Sequence, residues 1–261
     1  MRIPLFPPLF RCFESLPEVF EARVRFFPER EAIVSDQVRL SFRQLEEKVS
    51  RFAVYLLDNN VRQGDWAAIM LPNCSEFVIS FLALAKIGAV IVPVDTSFGT
   101  QELNNLFDTI PLTTCITNPA FLPTVQPVLI EKPGCANLIL DQVCHEGTLD
   151  TAALSNTTSG TSITWPKLRP RTPFLYLYTS GTTGPPKGIL LDHDRVMRIS
   201  IGWRNRLPLR GDEKCYNLAP LFRSPALFSV IGAGIYYGIT MTIPSEFRPK
   251  KVWDEIASER A

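Results

Sequence analysis

A layered α/β architecture built on a parallel sheet is what this sequence predicts, and two observations predict it. From Trp66 onward, short apolar runs with β-branched content alternate with helical patterns. Those runs are continuously apolar, as expected of strands covered by helices on both faces. The chain is long enough for this: at 261 residues and 46% hydrophobic it can bury roughly three quarters of its unfolded surface.

The elements follow in order. WAAIML (66–71) reads as a strand, Ser75 to Lys86 as a helix and AVIVPV (89–94) as a second strand. A helix begins near Gln101 and runs to Phe107, and LTTCIT (112–117) and NLIL (137–140) are further strands. Between Glu146 and Pro173 periodicity fades into a Thr-, Ser- and Pro-rich stretch, a surface connection. A second block then has strands at FLYLY (174–178), GILL (188–191), KCYNLA (214–219) and GITMTI (238–243), with helices over Asp194–Arg206 and Ser224–Tyr237. The expected organisation is a subdomain over 1–145, a connection over 146–173 and a second subdomain over 174–261.

Bulk chemistry narrows the function classes. Lysine and arginine total 27 against 26 acids, so no global field draws the protein to nucleic acid or an anionic bilayer. The six cysteines form no CxxC pair, and with only His145 and His193 beside them they read as free thiols rather than a zinc site. The apolar run from Phe77 to Val94 carries Lys86 and Gly88 and is interrupted by Pro93, which suits a buried helix and strand better than a membrane span. No transmembrane segment is expected, and the proline-broken start MRIPLFPPLFRCF is not read as a signal peptide.

The stretch YTSGTTGPPKG (178–188) carries the chemistry. It follows a strand directly, Gly181 and Gly184 permit close backbone approach, and convergent N–H groups there would make an anion nest. Thr179, Ser180, Thr182 and Thr183 add hydroxyl donors and Lys187 adds a charge, so the natural guest is a polyphosphate. The plainer reading is a Thr- and Gly-rich hairpin turn. A Walker A loop is excluded because Pro186 precedes Lys187 and Gly188 follows it, and GxGxxG lacks its third glycine. Three or four charge-assisted hydrogen bonds of roughly 1.5 to 3 kcal/mol each, less ordering costs, fall short of the about 8 kcal/mol of micromolar binding. Other segments must hold the rest of the ligand.

YTSGTTGPPKG resembles the phosphate-loop signature of the adenylate-forming superfamily, which includes acyl-CoA synthetases, peptide-synthetase adenylation domains and luciferases. LSFRQL (40–45), LALAKIGAVIVPVD (82–95) and LAPLFRSPAL (218–227) resemble further family segments in the family's order, so the likeness covers nearly the whole chain. It implies the αβαβα N-terminal domain of such enzymes, incomplete and without their small C-terminal domain. It also implies ATP-dependent activation of a carboxylic acid as acyl-AMP, with Mg2+ as metal; the free thiols separately suit a reducing compartment, the cytoplasm. Thr179, Ser180, Gly181, Thr182, Thr183, Gly184 and Lys187 would bind the ATP phosphates, and Phe222 and Arg223 would line the acyl pocket. LPNCSEF (71–77) is more like acyl-CoA ligases than peptide-synthetase domains, which points to coenzyme A as co-substrate and a role in fatty acid metabolism. Two alternatives stay open: an adenylation domain that loads a carrier protein, and a truncated, catalytically silent fragment that binds nucleotide weakly.

The pattern departs from the family in two places. Arg223 stands where the family has histidine or an aromatic; it either enters the acyl pocket and pairs with a substrate anion or turns to solvent. The family's magnesium-binding "YGxTE", its ribose-binding "TGD" and its adenylation lysine have no counterpart string, so these residues are expected beyond Ala261 and no catalytic residue is assigned. RPKKVWDEIASERA (248–261) reads as an amphipathic helix without a stop signal, as in a chain cut short. In that case GITMTI is expected to lose any neighbours supplied by residues beyond Ala261, leaving apolar surface and sheet edges exposed and the chain poorly soluble. The arginines at 195, 198, 204, 206 and 210 read as a solvated helix face, His193 as a local hydrogen-bonding residue, and Trp203, Tyr236 and Tyr237 as packing residues.

Overall fold

The computed structural model describes residues 13–36, 38–132, 134–135, 137–140, 164–179, 187–202, 213–246 and 248–259. Its strands form two sheets. Sheet I has the order β6-β5-β3-β4-β7-β8, from β3 (Trp66–Met70), β4 (Val90–Pro93), β5 (Leu112–Thr117), β6 (Asn137–Leu140), β7 (Pro173–Thr179) and β8 (Lys187–Asp192). Its first five strands are parallel, and Ala68 lies level with Val92 on one side and Cys115 on the other. β8 is antiparallel to β7, because the residues between them are too few for the crossover that a parallel neighbour requires.

The continuous apolarity of these strands has a direct cause. Ala67, Ile69, Ile91 and Ile116 face one buried cluster; Ala68, Met70, Val92 and Cys115 face another. The first cluster is built with helices α2 (Phe42–Asp58) and α3 (Ser75–Ile87), the second with α4 (Thr100–Phe107) and α5 (Leu122–Ile130). Every residue of α3 is buried, as befits a helix apolar all round. Lys86 is tolerated there because its Nζ donates to Glu46 Oε1 at 3.0 Å and Ser50 Oγ at 2.9 Å and lies 4.8 Å from the Trp165 ring. Gly88 ends the helix at φ 84°, a left-handed conformation that a side chain would strain.

Sheet II, order β2-β1-β10-β9, holds β1 (Glu31–Ser35), β2 (Arg39–Ser41), β9 (Lys214–Tyr216) and β10 (Thr240–Ile243). β10, the core of GITMTI, is not an edge: it is wholly buried and pairs in parallel with β1 on one side and β9 on the other. Among the described residues GITMTI thus keeps two neighbours: β9, legible in the sequence as KCYNLA, and β1, which with β2 is a strand that the sequence pattern does not reveal. Each sheet therefore takes strands from both sides of the Thr/Ser/Pro-rich segment.

Ile33, Met241 and Ile243 point into the first cluster, while Val34, Thr242 and Tyr216 line the opposite face together with Glu255 and Ser258 of α8 (Val252–Glu259). The layers thus run α4/α5, sheet I, the central helices, sheet II and α8, an αβαβα sequence.

Helices missed by the sequence reading carry local signals. α2 starts with a capping box in which Ser41 Oγ accepts from Gln44 N and Gln44 Oε1 accepts from Ser41 N. α1 (Leu16–Phe26) buries Arg23, whose guanidinium donates to the carbonyls of Ile235 and Tyr236. Those carbonyls end α7, which runs through Ser224–Ala226, a π-helical stretch Leu227–Gly232 and Ala233–Tyr237. Burial drives the Arg23 pKa down to about 9, yet it stays charged at neutral pH and satisfies carbonyls that α7 leaves unpaired.

α6 (His193–Gly202) begins where the second block predicts a helix. Arg195 and Arg198 are exposed on it, Arg198 pairing with Asp194, as a solvated face requires; positions 204, 206 and 210 and Trp203 lie outside the described residues. Tyr236 and Tyr237 are buried packing residues, and Tyr237 donates to Ile201 O.

Candidate functional site

β7 and β8 set the base of the site. Their ladder pairs Tyr178 with Gly188 and Thr179 with Lys187, so the two ends of YTSGTTGPPKG are held side by side at the carboxyl edge of sheet I. That edge is where α/β sheets bind ligands. Thr179 closes β7 and Lys187 opens β8; Ser180, Gly181, Thr182, Thr183 and Gly184 lie outside the described residues.

Beside this base opens a cavity of about 520 Å³ whose walls include Phe98, Leu177, Tyr178, Phe222 and Arg223. Phe222 and Arg223 arrive from sheet II, on the loop between β9 and α7. That loop is pinned by Asn73, which follows β3: its Nδ2 donates to Ala219 O at 3.2 Å and its Oδ1 accepts from Leu221 N at 2.8 Å. One side-chain amide thereby ties the LPN segment of one sheet to the PLF segment of the other.

The structure brings the base of the loop and both acyl-pocket candidates to one cavity. It adds three residues that sequence reasoning missed. Tyr178 stacks obliquely on Phe98 with ring centroids 5.8 Å apart, and its hydroxyl accepts the backbone N–H of Asp95 at 3.1 Å. Burial holds that hydroxyl well above the usual phenol range, so it remains protonated. Asp95 Oδ2 lies 3.5 Å from Arg223 Nη2. A signal for Asp95 and Phe98 existed: both follow AVIVPV closely, at the carboxyl end of a strand already read as buried and parallel.

Arg223 resolves its two readings by doing part of each. It lines the cavity, yet its side chain is 62% exposed and already carries a protein carboxylate as partner. Among the described residues no group of three His, Cys, Asp or Glu could hold a metal ion.

A family model described as AMP-binding enzyme matches residues 20–261. The chain belongs to that family. A medium/long-chain-fatty-acid–CoA/3-oxocholest-4-en-26-oate–CoA ligase of Mycolicibacterium smegmatis is 28% identical over 93% of the chain, which covers 47% of the relative. A long-chain-fatty-acid–CoA ligase of Mycobacterium tuberculosis is 26% identical over 91% of the chain and is covered to 46%. The chain thus spans about half the length of these curated relatives. Among solved structures, the inhibitor-bound N-terminal domain of FACL13 from M. tuberculosis superposes with a TM-score of 0.81 at 24% identity, covering 95% of this chain and 62% of that one. The N-terminal subdomain of Klebsiella oxytoca NpsA, solved with 3-hydroxybenzoyl-AMSN, gives 0.74 at 26% identity, over 95% and 58%. These likenesses bear out the expected family and the αβαβα fold.

Proposed function

We propose that this chain forms the phosphate-binding and acyl-binding part of an AMP-forming acid–thiol ligase. One observation carries the reading: an aromatic-walled cavity opens beside the paired residues Thr179 and Lys187, from which the hydroxyl- and glycine-rich loop springs. The loop from Thr179 to Lys187 would hold the β and γ phosphates of ATP, and Phe222 and Arg223 would border the tail of the acid.

The chemistry follows from the poor electrophilicity of a carboxylate. Its oxygen attacks the α phosphorus, the bond to the pyrophosphate oxygen breaks, and an acyl-AMP with a good leaving group results. A thiolate then attacks the acyl carbon and AMP departs. Cationic Lys187 and the hydroxyl donors would offset the charge that gathers on the leaving pyrophosphate. Coenzyme A is the proposed acceptor, from the likeness to fatty-acid–CoA ligases. A second reading, loading of a carrier protein, is favoured by the likeness to the artificially fused adenylation–PCP di-domain NpsA–ThdA.

The test is ATP–pyrophosphate exchange by the protein expressed from its full coding sequence. Lys187→Ala combined with Thr183→Ala should reduce exchange by roughly a hundredfold or more while circular dichroism stays unchanged. Unchanged exchange would overturn the loop assignment. Supplying coenzyme A or a phosphopantetheinylated carrier in turn separates the two acceptors. ATP titration of the 261-residue chain shows whether this part binds nucleotide by itself.

A further inference from the structure

Asp95 and Arg223 face each other across the mouth of the cavity, and they are held very differently. The Asp95 carboxylate is 17% exposed and fixed from a second side by Ser97, whose backbone N–H and hydroxyl donate to Oδ1 at 2.9 and 2.7 Å. Arg223, at the start of α7, reaches Oδ2 at 3.5 Å from the solvent side, with its guanidinium 5.8 Å from the Phe222 ring. The acid is rigid and sheltered; the base is the wet, movable partner.

A guanidinium stays charged at any physiological pH, so even on the solvent side it attracts an anion to its face. Asp95 occupies that place. A ligand carboxylate approaching Arg223 would have to displace the protein's own carboxylate or sit beside it against like-charge repulsion. The remaining walls named above offer aromatic faces and aliphatic carbon, which favour an uncharged tail.

We propose that the Asp95–Arg223 pair sets the charge selectivity of the acyl cavity: with Asp95 in place it takes monocarboxylic acids with uncharged tails, and loss of the Asp95 charge turns Arg223 into a receptor for a second carboxylate. This rests on the acid–thiol ligase reading above.

The test compares kcat/KM in pyrophosphate exchange for three matched pairs, hexanoate with adipate, octanoate with suberate and decanoate with sebacate, using the full-length protein. Asp95→Asn should raise the dicarboxylate-to-monocarboxylate ratio by about fivefold for the best-fitting pair, the upper end for an exposed ion pair. Adding Arg223→Gln should return the ratio to that of the wild type. Arg223→Gln alone, which leaves Asp95 uncompensated, should lower the ratio by a similar factor and gives an independent arm if Asp95→Asn does not fold. Ratios unchanged in every variant, or a wild type that already prefers dicarboxylates, would overturn the inference while leaving the ligase reading intact. If no acid supports exchange by the wild type, the ligase reading falls and takes this one with it.

Discussion

Each sheet opens a cavity at the carboxyl ends of its parallel strands, and the two cavities are lined by opposite chemistries. The one at sheet II, about 400 Å³, lies against α8 and is lined by Asp36, Arg39, Tyr216, Arg248 and Glu255 among others. Much of that lining is spent on itself: Arg248 pairs with Glu255 at 3.1 Å, the Tyr216 hydroxyl donates to the same carboxylate, and Asp36 accepts from Ser245. The cavity at sheet I has aromatic walls and one charge pair at its mouth. The recess at sheet II pairs its charged groups with one another and braces α8, although Thr242 Oγ1 and Arg248 Nε make no hydrogen bond among the described residues; a recess that leaves ring faces open is shaped for a guest. Size does not separate the two, but the fate of their polar groups does.

The largest effect that could break this comparison concerns whether both sheets unfold as one unit. His193 is wholly buried between them: its Nδ1 accepts the backbone N–H of Leu16 in α1 at 3.4 Å, and its ring stacks on Phe174 of β7 at 4.3 Å. Burial, opposed in part by nearby Asp192, lowers its pKa from 6.5 to about 4. Between those values the unfolded chain binds a proton and the folded one does not, so stability is full above about pH 6.5 and declines as pH falls toward 4, by roughly 3 kcal/mol in all. Urea midpoints across that range should trace the decline in a single transition, and His193→Gln should flatten it. Two separate transitions would mean that the sheets are independent and the comparison between them is of two domains.

Next in size, Phe222→Ala should remove contact area from the guest-shaped recess, raising the KM for the preferred acid about thirtyfold, equivalent to roughly 2 kcal/mol, with little change in melting temperature. A shift confined to melting temperature would make Phe222 a packing residue. Smallest is Tyr216→Phe in the ion-paired recess: about 1 kcal/mol of stability lost with its hydrogen bond to Glu255, and KM unchanged. Any movement of KM there would erase the distinction drawn between the two recesses.

The sequence disclosed the two regions unequally. Sheet I was legible because its strands carry apolar residues on both faces, as with Ala67 to Met70, and because GxG-free YTSGTTGPPKG is too specific to be mistaken. Sheet II was half hidden. EAIVS and RLS are short, and RLS is exposed at Arg39, so period and composition mark them only faintly. The strand beside β1, β10, was found, but not who paired with it, since pairing across two hundred residues leaves no local trace. The site divided in the same way: Phe222 and Arg223 could be named from a motif, whereas Asp95 was marked only by its place after a strand end and its pairing with Arg223 shows only in the tertiary approach. Arg23 shows the limit most plainly, because a buried arginine reads as a surface residue until the carbonyls it caps are in view.

The pairing of β1 with β10 also sets a clock. Ile33 lies level with Met241, and Thr240 Oγ1 donates to the carbonyl of Glu31, 209 residues away. At ordinary elongation rates of about 5 to 20 residues per second, β1 leaves the ribosome on the order of ten to forty seconds before its partner. For that interval it has only β2 beside it, and the face that will be interior to sheet II is an open edge. Slowing translation over the Thr/Ser/Pro-rich segment would lengthen that exposure, and a chaperone that shields β1 would shorten it.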